Sequence, residues 1–445
     1  MSNENISRLR VLHLVSAVGA PGALQQLLFM PLLTRIPKER VQAQVVCLSP
    51  GAVPAAVLRQ NGVPVHEVAL SRKRFSMGGL AEVLSEARRF HPDVIQAWGH
   101  TAQIVSTRVR ARCAWRPKLV WAVAETTPLA RDAGFLDRQK LKFAARLAAK
   151  TDCIVYTSEA GAGQHRRVGF PEEGHRTIPP GVDAARFKPD PAVRRKVREQ
   201  LKLAPNAFVI GMAAPFQPEF DHATLIKAAA ELSKTHRETA LVLAGYGVQP
   251  GNAALMALIG GALSSHTHLL GEWSDVGSLF NACDVVCSSA LTDRSRMTLV
   301  MAMLCGVPCV ATGMGAQGEV LGRFGVAVET GSPAAFVRGI TRIMQLTPER
   351  RAQMIHGART HAMNDYVYVQ SLQKYLQLYS DLIGREPAGA SDPEPADSAL
   401  PQAPAPPSGN KLDTLAVEPP GAALASPATQ PDVPPSDSAP VLQRD

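Results

Sequence analysis

Residues 207–247 read AFVIGMAAPFQPEFDHATLIKAAAELSKTHRETALVLAGYG, and the periodicity of this stretch decides the fold. AFVIGMAA (207–214) is a short apolar run that reads as a buried strand. A helical pattern follows over His222–Lys234, and ALVLAGYG (240–247) is a second strand closed by a glycine turn. Strand, helix and strand in this order make a parallel pair joined by a crossover helix.

The unit repeats in both directions. Downstream come DVVCSS (284–289), PCVAT (308–312) and VAVET (326–330). Upstream, RVLHLVSAV (10–18) precedes a helix from Gly22 through Leu33, VQAQVVCL (41–48) a short helix over Pro54–Gln60, and VPVHEVAL (63–70) a helix over Gly79–Phe90. DVIQAW (93–98) and a helix from Thr101 lead to KLVWAVA (118–124). A helix around Arg138–Lys150 then leads to DCIVYTS (152–158). Such alternation predicts an α/β chain with helices on both faces of parallel sheets. The proline-marked stretch Thr177–Pro191 divides two such series. The expected organisation is a first domain over 1–180, a second over 181–384 and a tail over 385–445, with ligands in a cleft at the carboxyl ends of the strands.

The tail holds 14 of the chain's 35 prolines and no aromatic residue. Segments such as PQAPAPPSGN do not bury enough apolar surface to offset chain entropy, so a disordered acidic arm is expected. Charge is unevenly distributed along the chain. Residues 1–180 carry 25 Lys and Arg against 13 Asp and Glu, residues 181–384 carry 19 against 16, and the tail carries 3 against 9. A basic first half suits phosphate or an anionic membrane surface, or is simply a solvated basic face.

Several classes are excluded. The 445 residues are 46% hydrophobic, 19% charged and 5% aromatic, too apolar for a disordered protein. No run approaches the ~18 consecutive apolar residues of a membrane span, and the polar start Met1–Arg10 does not read as a signal peptide. Seven cysteines, odd in number and set among apolar residues, point to reduced thiols in a reducing compartment. Cys283/Cys287 and Cys305/Cys309 are spaced C-x3-C, but their Val, Ala and Met neighbours make them small buried hydrophobes rather than zinc ligands. His266 and His268 have no ligand partners at helical spacing. GMGAQG (313–318) fits G-x-G-x-x-G but follows a late strand, and an ordinary tight turn explains it. GAPG (19–22) follows the first strand, where amides at a helix start can hold an anion. On the helix around Arg138–Lys150, Arg138, Lys142 and Arg146 recur at i, i+4 and i+8. That stripe suits anionic lipid, or a helix packing its other side on the sheet. The clusters SRKR (71–74) and RVRAR (108–112) do not alternate with aromatics, which argues against nucleic acid.

Several segments together resemble one family. TIPPGVDAARFKP (177–189), the stretch 209–232, ALVLAGYG, HLLGEWSDVGSLFNACDVVCSS (268–289), MAMLCGVPCVATGMGAQGEVLG (301–322) and QSLQKYLQLYSDLI (370–383) are similar, in order and spacing, to the family 4 retaining glycosyltransferases of GT-B fold. The resemblance spans about residues 8–383. It implies two facing Rossmann-like domains, an N-terminal acceptor domain and a C-terminal nucleotide-sugar domain. It further implies a last helix that returns to the first domain and metal-independent chemistry without a cofactor, the nucleotide sugar being the substrate.

Cleaving a sugar–diphosphate bond leaves charge on the diphosphate, which fixed cations and amide dipoles must stabilise. The family places an Arg and a Lys after the first strand of its second domain, in a pattern like G-R-L-x-P-x-K-D-H. Here AAPFQPEFDH (213–222) puts Pro215 and Phe220 at those positions. Two such contacts, at ~1.5–3 kcal/mol each, correspond to roughly a hundred- to ten-thousand-fold in rate. The family's paired glutamates correspond to Asp293 and Met301, and Arg294, Ser295 and Arg296 replace the small loop at the sugar. Pro180 stands where Asn is usual, and Ala124 and Glu125 where His or Arg is common.

The resemblance therefore implies Asp293, Arg294 and Arg296 as the catalytic group, the arginines at the phosphates. Around the donor it implies Gly22, Ala23, Pro215, Gly245, Gly247, Trp273, Ser295, Met297 and Met301, with Trp273 near the base, and Glu125 and His100 on the acceptor side. The implied function is sugar transfer from a nucleotide sugar to a lipid-linked or polysaccharide acceptor in surface-polysaccharide assembly. The alternative is a catalytically silent glycosyltransferase-like subunit serving a polysaccharide-assembly partner. The expected location is cytoplasmic, with peripheral contact of the N-terminal domain at the inner face of the membrane. Replacing Arg294 and Arg296 together by alanine is expected to abolish turnover and leave thermal stability unchanged.

Overall fold

The structure is a computed structural model that describes residues 8–16, 24–51, 53–68, 77–124 and 135–384. Of 24–27, 77, 135–137, 140, 261, 262 and 294 it describes the backbone alone. Gly22, Ala23, Glu125, the Arg294 side chain and the tail from Arg385 lie outside what it describes.

Among the described residues the first sheet has seven strands: β1 (Leu9–Val15), β2 (Val41–Cys47), β3 (Val65–Glu67), β4 (Val94–Trp98), β5 (Lys118–Val123), β6 (Cys153–Tyr156) and β7 (His175–Thr177). They lie in the order β3-β2-β1-β4-β5-β6-β7, all parallel. Its helices are α1 (Leu24–Arg35), α2 (Ala55–Gln60), α3 (Met77–Phe90), α4 (His100–Arg110), α5 (Phe135–Ala148) and α6 (Glu159–Arg167). After α7 (Pro191–Gln200) the second sheet begins, with β8 (Phe208–Ala213), β9 (Thr239–Ala244), β10 (Thr267–Leu269), β11 (Val285–Ser288), β12 (Cys309–Thr312) and β13 (Val326–Val328). These six run parallel in the order β10-β9-β8-β11-β12-β13. Its helices are α8 (His222–Thr235), α9 (Ala253–Ser264), α10 (Val276–Ala282), α11 (Arg296–Leu304), α12 (Gly315–Leu321), α13 (Pro333–Met344) and α14 (Pro348–Asp365), and α15 (Tyr368–Ile383) closes the fold. In both sheets the strand order reverses beside the first strand, the crevice position where doubly wound sheets take ligands.

Helix α15 belongs to the first domain by packing. Leu372, Tyr375, Leu376 and Tyr379 join one apolar cluster with Val11, Val45 and Trp98 of the first sheet. The Tyr379 hydroxyl donates to Gln96 Oε1 at its centre, and the Ser371 hydroxyl donates to the Pro179 carbonyl at 2.7 Å. Chain therefore crosses between the domains twice. Val182 forms a bridge with Val367 at this double crossing, and Arg35 pairs with Asp183 at 3.1 Å while lying over the Tyr368 ring.

The basic surplus of the first domain has a structural account. Its helices each end on bases: Arg35, Arg59, Arg88 with Arg89, Arg108 with Arg110, Arg146, and Arg166 with Arg167. Cations there complement the helix dipoles. In a parallel α/β layer these helix ends lie at the amino edge of the sheet, away from the carboxyl edge where ligands bind. On α5, Leu141, Ala144, Ala145 and Ala148 pack on the sheet, while Phe143 is 43% exposed beside the bases. All seven cysteines are buried and unpaired in disulfides. Among the described residues, no helix is long and apolar enough to cross a membrane.

The second core includes a buried imidazole with a measurable consequence. His222 is 2% exposed, and burial pushes its pKa down from 6.5 to about 4. The folded state thus prefers the neutral ring. Its contribution is full above pH 6.5 and is lost as pH falls towards 4, about 3 kcal/mol in all. Replacing His222 by Gln should flatten that part of the stability curve, as read from urea midpoints at pH 7, 5.5 and 4. A variant whose midpoints track those of the parent would assign the slope to other groups.

Candidate active site

The loops leaving the carboxyl ends of the second sheet are tied to one another by main-chain hydrogen bonds. Ala214 N donates to Ala244 O at 2.9 Å and Phe216 N to Tyr246 O at 2.8 Å. Gly245 N donates to Gly271 O, and Gly271 N to Val248 O, both at 2.7 Å. This stitching needs glycine at 245, where φ is +142° and a Cβ would lie 2.1 Å from the Ala214 carbonyl oxygen. Pro215 and Gly247 are half-buried on the same loops. Trp273, also half-buried, donates from Nε1 to the Ser278 hydroxyl at 3.1 Å.

The loop after β11 is anchored by Gln317, a fully buried residue of α12. Its Nε2 donates to Thr312 Oγ1 and to the Thr292 carbonyl, both at 3.0 Å, and its Oε1 accepts from the Ser288 hydroxyl at 2.6 Å. The loop so held delivers Asp293, 7% exposed, to the start of α12. Asp293 Oδ1 accepts from the Gln317 amide at 3.3 Å. The carboxylate presses so closely on Gly315 that a Cβ there would be 2.6 Å from Oδ2, with φ at +50°. The GMGAQG turn therefore has a physical purpose: it receives an internal carboxylate. Burial raises the Asp293 pKa, while Arg296 and the amides of Gln317 and Ala316 work against that rise.

Arg296 opens α11 and is 1% exposed. Its guanidinium crosses from the second domain to the first, donating from Nη2 to Thr157 Oγ1 at 2.5 Å and from Nη1 to Ser158 Oγ at 3.4 Å. Burial lowers its pKa to about 10, opposed chiefly by Asp293 and Glu319, so it remains a cation at neutral pH. Glu319, one turn into α12, makes a second crossing. Its carboxylate accepts from the Ala160 amide at 2.6 Å and the Glu159 amide at 3.2 Å, capping the positive end of α6. On the turn that precedes Arg296 in the chain, the hydroxyls of Thr292 and Ser295 are buried and hold no hydrogen bond among the described residues.

The remaining candidates occupy separate surroundings. Met297, 4% exposed, and the half-buried Met301 pack in the apolar cluster with Val300 and Cys309. Phe220 is 7% exposed in the other apolar cluster of the second domain. His100 opens α4 at the carboxyl edge of the first sheet, its Nδ1 3.2 Å from Gln103 Oε1. The structure thus brings Asp293, Ser295 and Arg296 together. It also adds Gln317, Glu319, Thr157 and Ser158, which no pattern in the sequence marks as site residues. Gln317 and Glu319 lie within or beside the quoted glycine turn, but nothing in the sequence places Gln317 against Thr292 and Thr312 or Glu319 against residues 159 and 160. Among the described residues, no three His, Cys, Asp or Glu side chains gather as a metal site.

Two family models match the chain in succession. Residues 30–186 match Glycosyltransferase Family 4 and residues 193–361 match Glycosyl transferases group 1. The chain belongs to the family 4 glycosyltransferases. Its curated relatives include the putative glycosyltransferase EpsD of Bacillus subtilis, 27% identical over 241 residues. That match spans 53% of this chain and 62% of EpsD, less than two thirds of the relative's length. A D-inositol 3-phosphate glycosyltransferase of Salinispora tropica is 25% identical over 378 residues, 80% of this chain and 72% of the relative. Among solved structures, HepE of Anabaena in complex with UDP superposes with a TM-score of 0.71 at 23% identity, over 84% of this chain and all of HepE. The likeness establishes the GT-B fold for this family 4 chain, with both Rossmann-like domains.

Proposed function

We propose that this family 4 chain moves a sugar from a nucleotide-sugar donor to a glycan or lipid-linked acceptor of surface-polysaccharide assembly, with retention of configuration and without a metal. The donor diphosphate lies at the start of α11, between the second domain and the β6–α6 loop of the first. The observation that carries this reading is the pair of buried hydroxyls, Thr292 and Ser295, on the turn that leads into α11, whose first residue is the buried Arg296 cation. Buried hydroxyls without partners are costly, and phosphate oxygens at a helix N-terminus satisfy them. Arg296 then supplies the charge that the resemblance places at 215 and 220, with Thr157 and Ser158 giving way to the phosphates. HepE, of the same fold, binds UDP and UDP-glucose in its crystals, which makes a uridine nucleotide the first donor to try.

A second reading, that of a catalytically silent subunit, has its own observation. Phe220 and Met301 stand where the resemblance places a lysine and a glutamate, and both pack with apolar clusters. Calorimetric titration of the full chain with UDP, GDP and ADP at low salt separates the two. The transferase reading expects one nucleotide to bind with a dissociation constant on the order of micromolar. Folded protein that binds none of the three would establish the silent subunit.

A further inference from the structure

Strand β13 ends the second sheet, with β12 on its inner side. The register pairs Val310 with Val326, Ala311 with Ala327 and Thr312 with Val328, and Gly313 N donates to Val328 O at 3.0 Å. The alternation of a parallel ladder then turns the Ala327 amide and carbonyl outward, to an edge that no strand among the described residues pairs with. Helix α13 lies close along this strand, because Gly339 leaves no side chain between them; a Cβ there would meet methyl groups of Val310 and Val328 at 2.9 Å. Beside the contact runs a groove of about 250 Å³, lined by Ala327, Val328, Glu329, Arg338, Gly339 and Arg342. Arg338 and Arg342 are exposed.

These features share a spacing. Arg338 and Arg342 are four residues apart on a helix, a rise of about 6 Å. Alternate residues of an extended strand, which point to one face, repeat at about 6.6 Å. A strand added beside β13 would therefore offer one side chain to each arginine while its backbone met the outward groups of Ala327. Glu329 stands at the far end of the strand, repels a carboxylate there, and so fixes where the acidic run stops.

We propose that this groove takes an extended acidic peptide of a partner protein, which adds as a seventh strand beside β13 and lays alternate carboxylates against Arg338 and Arg342. A peptide satisfies both the open backbone edge and the paired cations, which is the recognition mode of strand addition. The site lies on the edge strand of the second sheet and is independent of the donor site.

The test uses the full chain and a fluorescein-labelled octapeptide alternating threonine and glutamate, read by anisotropy. The peptide should bind, and a threonine–lysine octapeptide should not. Arg338→Glu with Arg342→Glu, both exposed positions, should weaken binding by on the order of tenfold or more. Ala327→Pro removes only an outward N–H, a change edge strands accept, and should weaken binding comparably. An acidic peptide N-methylated at alternate residues keeps its charge but cannot pair, and should fail to bind whatever the folding of the proline variant. Failure of the acidic peptide to bind, equal binding of the basic one, or binding that survives N-methylation would each overturn the proposal.

Discussion

Arg296→Ala is expected to destabilise the folded protein by about 3–5 kcal/mol and to abolish nucleotide binding. The side chain is 1% exposed and its charge is shared among Thr157, Ser158, Asp293 and Glu319. Removing it leaves the Asp293 carboxylate, whose pKa burial already raises, without its cation. The burial of Arg296 runs against the expectation drawn from sequence that alanine at 294 and 296 together leaves thermal stability unchanged, since that expectation placed both arginines on a loop. Urea unfolding followed by circular dichroism measures the loss. The double variant Thr157→Val with Ser158→Ala removes only the hydroxyl contacts across the domains and should cost about 1 kcal/mol per bond. An Arg296→Ala variant no less stable than that double variant would refute the account of a buried ion network.

Gly245→Ala is expected to cost 3 kcal/mol or more, about 1–2 from the backbone conformation and the rest from overpacking. An alanine Cβ would meet Ala214 O at 2.1 Å, Ala214 C at 2.5 Å and Pro215 N at 2.9 Å, and φ is +142°. All three atoms are main chain, so no rotamer change relieves the contact. The loops after β8 and β9 must separate, which breaks the bonds that hold the donor side of the cleft. Nucleotide affinity should fall by roughly tenfold or more together with the melting temperature. Gly251→Ala is the control, since a Cβ there meets nothing within 4 Å, and it should be neutral. Equal melting curves for the two variants would show that the stitched loops are less rigid than their geometry implies.

The contrast between these positions shows what was legible in the chain. Apolar runs such as AFVIGMAA and KLVWAVA are buried on both faces of a sheet, and their composition alone marks them as central parallel strands. Helix limits followed from the same periodicity: His222–Lys234 was expected and α8 is His222–Thr235. Asp293, Ser295 and Arg296 could be singled out because they lie just before the segment 301–322, which carries the resemblance and so sets the register. Their surroundings could not, because Thr157 and Ser158 stand more than a hundred residues away and carry no local signal.

The sequence by itself determined the two parallel sheets, their order along the chain and the family, since each depends on short-range periodicity or on segments read in succession. Tertiary structure alone decided which charges are free. The resemblance marks Arg296 for the phosphates, but only the fold buries it and carries it across to Thr157. The bases that end the first domain's helices suit phosphate, an anionic membrane or plain solvation until the parallel topology sets them at the amino edge of the sheet. Hydrophobic pattern is encoded locally because burial acts residue by residue. The state of a charge depends on what long-range packing brings within a few ångströms of it.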